Sequence, residues 1–272
     1  MYKEYYGLSE NPFNVTSDPH FLYLSKRHRE AFSSLIYGIR ERKGFIEITG
    51  EIGTGKTTLC RALLNQLDAK VKTAFILNPR LSETQFIRAI LDDFGIALSK
   101  GTKLEMIKEL NRFLIEQLAS GNNVVLIVDE AQNLKKNLLE EVRLLSNLET
   151  EKDKLFQIVL VGQPELKKKL SSPGLAQLKQ RIAIRYHMLP LEKNDTRAYI
   201  QHRLNVAGSN GDIVFADDAI EAIFDYSNGV PRLINIVCDR ALLLGFVKET
   251  REFNAEIVKN AIAEIEDLRN AT

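Results

Sequence analysis

Residues 50–57 most limit what this chain can fold into. They read Gly-Glu-Ile-Gly-Thr-Gly-Lys-Thr and match the pattern G-x-x-x-x-G-K-[ST] in full. Glycines at these positions let backbone N–H groups turn inward around a phosphate without a clashing Cβ. A β-rich run, Phe45–Thr49, precedes the loop, and a helical pattern follows it. The sequence therefore predicts a phosphate-binding loop between a strand and a helix.

The side chains of this loop suit a nucleotide that is bound together with magnesium. Lys56 would bring a point positive charge to the transferred phosphate, and Thr57 would offer its hydroxyl to Mg²⁺. Thr57 also opens the following helix, so the positive end of the helix dipole would face the anion. The residues expected to hold the nucleotide here are Gly50, Glu51, Ile52, Gly53, Thr54, Gly55, Lys56, Thr57 and Thr58.

A second motif lies further along the chain. Val124–Val128 is a continuous apolar run, typical of a strand buried on both faces, and Asp129 and Glu130 follow it directly. At the carboxyl end of the strand, Asp129 would hold Mg²⁺ through water, and Glu130 would polarise the attacking water. Together with the phosphate loop, this acidic pair favours hydrolysis over the chemistry of a kinase or a switch GTPase.

Further polar residues are candidates for contacts with the γ-phosphate. Gln163 follows another apolar run and is expected at the carboxyl edge of a central strand. Arg232 follows Pro231, which suits the first turn of a helix, so this arginine is expected near a helix start. Arg181 and Arg185 flank a short apolar run, and the sequence leaves open which of them projects into a neighbouring subunit's site.

The order of the predicted elements gives the fold class. Strand candidates alternate with helical patterns up to Pro190, which implies a parallel sheet with helices on both faces. Helical patterns dominate after Pro190, so a second, helical domain is predicted there. The strand candidates are Phe45–Thr49, Thr73–Leu77, Val124–Val128, Leu155–Val161 and Ile182–Met188, and the helical stretches are Ser25–Lys43, Thr57–Leu67, Glu83–Phe94, Lys103–Ala119, Leu138–Leu148, Asn194–Val206, Ala216–Tyr226, Pro231–Val247 and Asn254–Leu268.

Composition excludes several classes of protein. The 272 residues are 44% hydrophobic and 27% charged, as in ordinary globular proteins, and 37 basic residues nearly balance 36 acidic ones. The overall charge balance therefore does not indicate a protein that coats nucleic acid.

Cys60 and Cys238 lie in separate apolar stretches and are expected to be buried thiols in a reducing compartment. The start of the chain lacks a secretory pattern and its apolar runs are short, which favours a cytoplasmic location.

These motifs occur together with several more particular stretches, among them a turn-rich, aromatic amino-terminal strap. The stretches are Tyr6–Leu8, Asn11–Phe13, Asp18–Pro19, Tyr23–Ser25, Arg27–Ala31, Thr49–Arg61, Asp129–Gln132, Leu160–Leu166, Gln180–Ile182 and Gly229–Arg232. With them the chain resembles the AAA+ ATPases, and more closely the GspA/ExeA group of bacterial secretion-associated ATPases, which includes MshM-like relatives. The resemblance covers nearly the whole chain.

The resemblance implies a role for each matching residue. Lys56 and Thr57 would belong to the Walker A motif, and Asp129 and Glu130 to the Walker B motif. Gln163 stands where the sensor 1 residue is expected, although asparagine is more usual at that position.

Other implied roles concern the neighbouring subunit and the base. Arg181 would be the arginine finger, and Pro231 and Arg232 would contact the nucleotide as part of sensor 2. In the strap, Pro12–Phe13 and Tyr23–Leu24 would lie against the adenine.

The resemblance also implies an architecture and a function. A strap at 1–25 would cover the nucleotide site of a three-layer AAA+ P-loop domain at 26–190, followed by an all-helical lid at 191–272. The reaction would be Mg²⁺-dependent hydrolysis of ATP by a homo-oligomer such as a hexamer. It would support assembly of a type II secretion or type IV pilus-like system, with an inner-membrane partner, at the cytoplasmic face of that membrane.

The sequence leaves two points open. Full-length members of the group continue into a transmembrane helix and a periplasmic peptidoglycan-binding region, so this sequence is either the ATPase part of such a protein or a shorter relative. The alternative function is that of a DNA-binding transposition-helper ATPase of the MuB/TniB kind, which shares the same core. The basic residues Arg40, Arg42 and Lys43, and the cluster Lys167–Lys169, fit that alternative.

Overall fold

The computed structural model of the chain describes residues 2–98, 101–150 and 154–270. The described residues divide into two compact units. The sheet unit comprises the described residues of 27–52 and 59–188, and the helical unit comprises 2–26, 53–58 and 189–270. The main division lies between residues 188 and 189.

Strands and helices alternate through the sheet unit, and helices predominate in the carboxyl-terminal part of the helical unit. The strands are β1 (Phe45–Gly50), β2 (Val71–Ile76), β3 (Asn123–Val128), β4 (Gln157–Gly162), β5 (Ile182–Met188), β6 (Val214–Phe215) and β7 (Glu252–Phe253). The helices are α1 (Tyr2–Tyr5), α2 (Lys26–Arg40), α3 (Lys56–Gln66), α4 (Glu83–Asp93), α5 (Lys103–Ala119), α6 (Lys136–Leu145), α7 (Pro164–Leu170), α8 (Ala176–Arg181), α9 (Lys193–Val206), α10 (Asp217–Ser227), α11 (Pro231–Val247) and α12 (Ala255–Asn270).

The first five strands form one parallel sheet in the order β2–β3–β4–β1–β5. Strands β1 and β4 are buried along their whole length, and β3 is buried at five of its six positions. Such strands carry apolar side chains on both faces because helices cover both faces of the sheet. The predicted α/β class with a central parallel sheet is confirmed. The order brings the carboxyl ends of β3, β4 and β1 side by side.

Local capping explains where two helices of the sheet unit begin. Ser82 accepts a hydrogen bond from the backbone of Gln85, whose side chain accepts one from the Ser82 N–H in return. Thr102 and Glu105 form the same reciprocal capping box ahead of α5. Both starts match the predicted ones.

Other boundaries differ from the prediction by a few residues. Helix α6 begins at Lys136 rather than Leu138 and ends at Leu145 rather than Leu148, and β2 begins at Val71. The prediction for α6 followed apolar periodicity, so the polar first residues of that helix, Lys136 and Asn137, lay outside the predicted range. Helix α8 was not predicted, since a helix this short carries no full periodic pattern. Cys60 and Cys238 are both buried, as expected.

The helical unit has a core of its own, to which the amino-terminal strap contributes. Tyr6, Leu8, Phe13 and Phe21 pack in one cluster with apolar residues of helices α9 to α12. Strands β6 and β7 pair in parallel beside them. The strap is thus an integral part of this unit's core. No described helix combines the length and apolar character that crossing a membrane requires.

Gly229, between α10 and α11, allows a close backbone approach that other residues would block. Its φ is +73°, and a Cβ there would lie 1.9 Å from the carbonyl oxygen of Leu191. The two residues are also joined by a hydrogen bond of 2.9 Å from the Leu191 N–H to the Gly229 oxygen. Because a side chain would meet backbone rather than a flexible neighbour, the contact cannot relax cheaply.

We expect Gly229→Ala to lower the free energy of unfolding by about 3 kcal/mol or more, from the steric overlap and the strained φ together. Chemical denaturation of both proteins measures the difference. Gly211→Ala is the matched control, because Gly211 has a φ of +87° but nothing within 4 Å of the added Cβ. That control should cost about 1 kcal/mol. Equal losses in the two variants would contradict the proposed overlap.

Candidate active site

The predicted phosphate loop connects β1, which ends at Gly50, to α3, which begins at Lys56. Gly53 and Gly55 have φ values of +82° and +95°, in the region that favours glycine. Lys56 is only 6% exposed, and Thr54 is also buried. The loop therefore has the compact, glycine-dependent backbone that the sequence pattern predicts.

Helix α11 contacts this loop at Gly53, within the helical unit. The Arg232 N–H donates a hydrogen bond of 3.2 Å to the Gly53 carbonyl. A Cβ on Gly53 would lie 2.7 Å from the Cβ of Arg232 and 3.1 Å from Cγ1 of Val230. Pro231 is the first residue of α11, as predicted. The structure thus places exposed Arg232 directly beside the phosphate loop.

The acidic pair follows β3 in the sheet unit. Asp129 is 1% exposed, and one of its carboxylate oxygens accepts a 2.8 Å hydrogen bond from the Glu130 N–H. Glu130 has a φ of +53°, which is uncommon for a residue with a side chain. Such strained conformations concentrate at functional sites. The acidic pair thus combines a buried carboxylate with a backbone conformation of this kind.

Two glutamines hold the Glu130 carboxylate at the adjacent ends of β3 and β4. Its Oε2 accepts hydrogen bonds from Gln132 Nε2 at 2.5 Å and from Gln163 Nε2 at 3.2 Å. Gln132 Oε1 in turn accepts a 3.1 Å hydrogen bond from the Gln163 backbone N–H. The Gln132 amide is thereby fixed by the backbone of Gln163, and two donors hold the carboxylate in a defined orientation.

Gln132 was not predicted as a site residue. It lies in a 3₁₀ turn, Ala131–Asn133, that has no periodic pattern. The signal in the sequence is weak: an amide two residues beyond Glu130. Only the pairing of β3 with β4 brings it to Gln163.

The two arginines that the sequence could not separate have different partners. Arg185 lies opposite Glu47 in the β1–β5 register, with its Nε 3.4 Å from the buried Glu47 carboxylate. Burial raises the pKa of Glu47, and the Arg185 charge acts in the opposite direction. Arg181 ends α8, and its Nη1 donates to the neutral hydroxyl of Ser146 at 2.8 Å. Arg181 is therefore hydrogen-bonded to a neutral group of its own chain, whereas Arg185 is paired with a buried carboxylate.

The strap residues expected near the base lie in the helical unit. Pro12 and Phe13 are buried, and the Phe13 ring packs within that unit's core. Tyr23 and Leu24 are half-buried, and the Tyr23 hydroxyl donates to Asp195 at 3.4 Å. Residues Asn14–Thr16, which follow Phe13 in the strap, are exposed.

Comparison with known sequences gives consistent matches. A family model described as an AAA domain matches residues 39–170. General secretion pathway protein A of Aeromonas hydrophila is 45% identical over 271 residues, which are 99% of this chain and 49% of that protein. The chain thus spans about half the length of this curated relative.

Solved structures share the fold at low sequence identity. The ORC2 protein of Aeropyrum pernix, in its ADP form, has a TM-score of 0.71 at 15% identity, over 93% of this chain and 72% of that one. Cdc6p of Pyrobaculum aerophilum has a TM-score of 0.68 at 19% identity, over 90% of this chain and 70% of that one. The similarity to both supports the α/β P-loop fold.

Proposed function

This chain belongs to the AAA ATPases, in the family of general secretion pathway protein A, and on that premise we propose what it does. It hydrolyses ATP to ADP and phosphate with Mg²⁺, as a homo-oligomer. The activity supports assembly of a type II secretion or type IV pilus-like system at the cytoplasmic face of the inner membrane. The similarity to a secretion pathway protein supports the biological part of the proposal.

The arrangement around Glu130 carries the proposal of hydrolysis. Its carboxylate is held by Gln132 and Gln163 and is therefore suited to orient one water molecule. That water forms a bond to the γ-phosphorus, and the bond to the bridging oxygen of ADP breaks. Glu130 accepts hydrogen bonding from the water and assists removal of its proton.

Other residues offset the charge that develops on the phosphates. Lys56 and the backbone N–H groups of its loop donate to phosphate oxygens, and Arg232 lies beside the same loop. Thr57 and Asp129 offer the oxygen donors that Mg²⁺ prefers, and one carboxylate is enough because phosphates complete such sites. The bound ion supplies positive charge to the phosphate oxygens.

Arg181 is proposed to complete the nucleotide site of a neighbouring subunit. ATP turnover should therefore depend on assembly of the oligomer. We expect specific ATPase activity to rise with protein concentration, in step with the mass from light scattering. Arg181→Ala should lower the activity of the assembled protein by about 10²-fold. Ser146→Ala is the matched control, because it removes the same intrachain hydrogen bond but keeps the guanidinium. A fully active monomer would overturn the proposed role in trans.

A parallel measurement with short duplex DNA tests the alternative of a DNA-bound ATPase. The Lys167–Lys169 cluster offers less free charge than its sequence suggests, because the Lys169 ammonium donates to the carbonyls of Gln132 and Leu134. We expect assembly and turnover to ignore DNA. Salt-sensitive DNA binding that requires ATP would support the alternative instead.

A further inference from the structure

Helix α9 carries a buried arginine that ties the strap to the core of the helical unit. Arg203 is 5% exposed, and its Nε donates to the carbonyl oxygen of Pro12 while Nη2 donates to that of Asn14 at 3.2 Å. The guanidinium carbon lies 4.6 Å from the centre of the Phe21 ring. All these partners belong to the strap, so one planar cation fixes the shape of the turn at Pro12–Asn14.

Two further buried side chains complete the network. Arg203 Nη1 donates to the Tyr199 hydroxyl at 3.0 Å, and that hydroxyl donates to Asn235 Oδ1 at 2.8 Å. Asn235 Nδ2 reaches the carbonyl oxygen of Asn14 at 3.4 Å. Burial raises the pKa of Tyr199, so its proton remains available for donation. The Asn14 carbonyl is thus held from both α9 and α11.

The same helix α11 connects this network to the phosphate loop. The backbone N–H of Arg232 donates to the Gly53 carbonyl. Asn235 lies three residues further along α11, which is a rise of ~4.5 Å along the helix axis, or nearly one turn. The strap turn is therefore held one turn along the helix from the phosphate-loop contact. A nucleotide with its phosphates on the loop has its ribose and base at the other end of the molecule.

From this geometry we infer that Arg203 is a positioning residue for nucleotide binding. With Tyr199 and Asn235, it holds the Pro12–Asn14 turn against the nucleoside half of the bound nucleotide. The inference rests on the proposed ATPase function and adds to it a determinant of affinity that touches neither phosphate nor metal. Lysine cannot replace this arginine, because an ammonium lacks the planar fork that reaches two carbonyls.

The test compares a ligand that has a nucleoside with one that lacks it. Titration calorimetry measures Mg²⁺·ADP and Mg²⁺·tripolyphosphate binding to the full chain. Arg203→Lys, which keeps the charge, should raise the Kd of ADP by about tenfold and change that of tripolyphosphate by less than about twofold. Turnover at saturating ATP should stay within about threefold of wild type, so that the loss appears in KM.

Matched variants separate positioning from loss of folding. Arg251→Lys is the control: Arg251 also joins the strap to the helical unit, through the Tyr5 carbonyl, but at α1 rather than at the Pro12–Asn14 turn. It should leave both Kd values unchanged. If Arg203→Lys does not fold, the isosteric Tyr199→Phe, which removes only the bridging hydroxyl, should weaken ADP binding alone.

The outcomes distinguish the inference from the proposed function. If wild type binds ADP and the folded Arg203 or Tyr199 variants bind it equally well, the inference is wrong and the ATPase proposal stands. Equal weakening of ADP and tripolyphosphate would also overturn the inference, since the effect would then lie at the phosphate loop or in the fold. Failure of wild type to bind either ligand would overturn the proposed function and the inference together.

Discussion

Replacing Glu130 with glutamine is expected to slow ATP turnover by about 10²–10⁴-fold while leaving the Kd for ATP within about twofold. The amide has nearly the shape of the carboxylate, so the backbone turn at Glu130 and its neighbours should persist. It cannot accept the proton of the attacking water, and it offers no negative charge to orient that water. Steady-state phosphate release and equilibrium ATP binding, measured on the same preparation, separate the two effects.

Gln132→Ala tests the arrangement around the carboxylate rather than the carboxylate itself. It removes one of the two amide donors to Glu130 and also the acceptor for the Gln163 N–H. We expect turnover to fall by about tenfold, with ATP affinity unchanged, because the carboxylate would be oriented less well. Asn133→Ala, in the same turn, is the control.

For the first substitution, normal turnover in Glu130→Gln would exclude Glu130 as the group that activates water.

Lys56→Ala should have the second large effect, and it should act on binding. Lys56 is only 6% exposed, so the charge of its ammonium is poorly screened by solvent. Removing it should raise the Kd for ADP by about 10²–10³-fold and abolish measurable turnover. Calorimetric titration with Mg²⁺·ADP measures the change directly.

A control for charge accompanies this substitution. Lys168→Ala changes the net charge by the same amount at an exposed position of α7 and should leave ADP binding unaltered. Because a ligand that binds only the folded state stabilises it, ADP should raise the melting temperature of wild type and of Lys168→Ala but not of Lys56→Ala. Retention of tight ADP binding by Lys56→Ala would place the nucleotide elsewhere.

Much of the fold was predictable because the relevant signals are local. The apolar runs of β1, β3 and β4 reflect burial on both faces, and capping residues such as Ser82 and Thr102 set the starts of their helices without distant contacts. Similarly, glycine spacing and a strand ending in two carboxylates predicted the phosphate loop and the acidic pair. These features depend on backbone geometry over a few residues, which the sequence specifies directly.

The sequence by itself thus determined the α/β class, the phosphate loop and the position of the acidic pair. The tertiary structure alone decided the strand order that joins Glu130, Gln132 and Gln163, the pairing of Arg185 with Glu47, and the place of the strap in the helical core. It also decided that Arg203 would be bound to residues 12 and 14, some 190 positions away. Such contacts form between distant segments, so their energy depends on packing that no local pattern encodes.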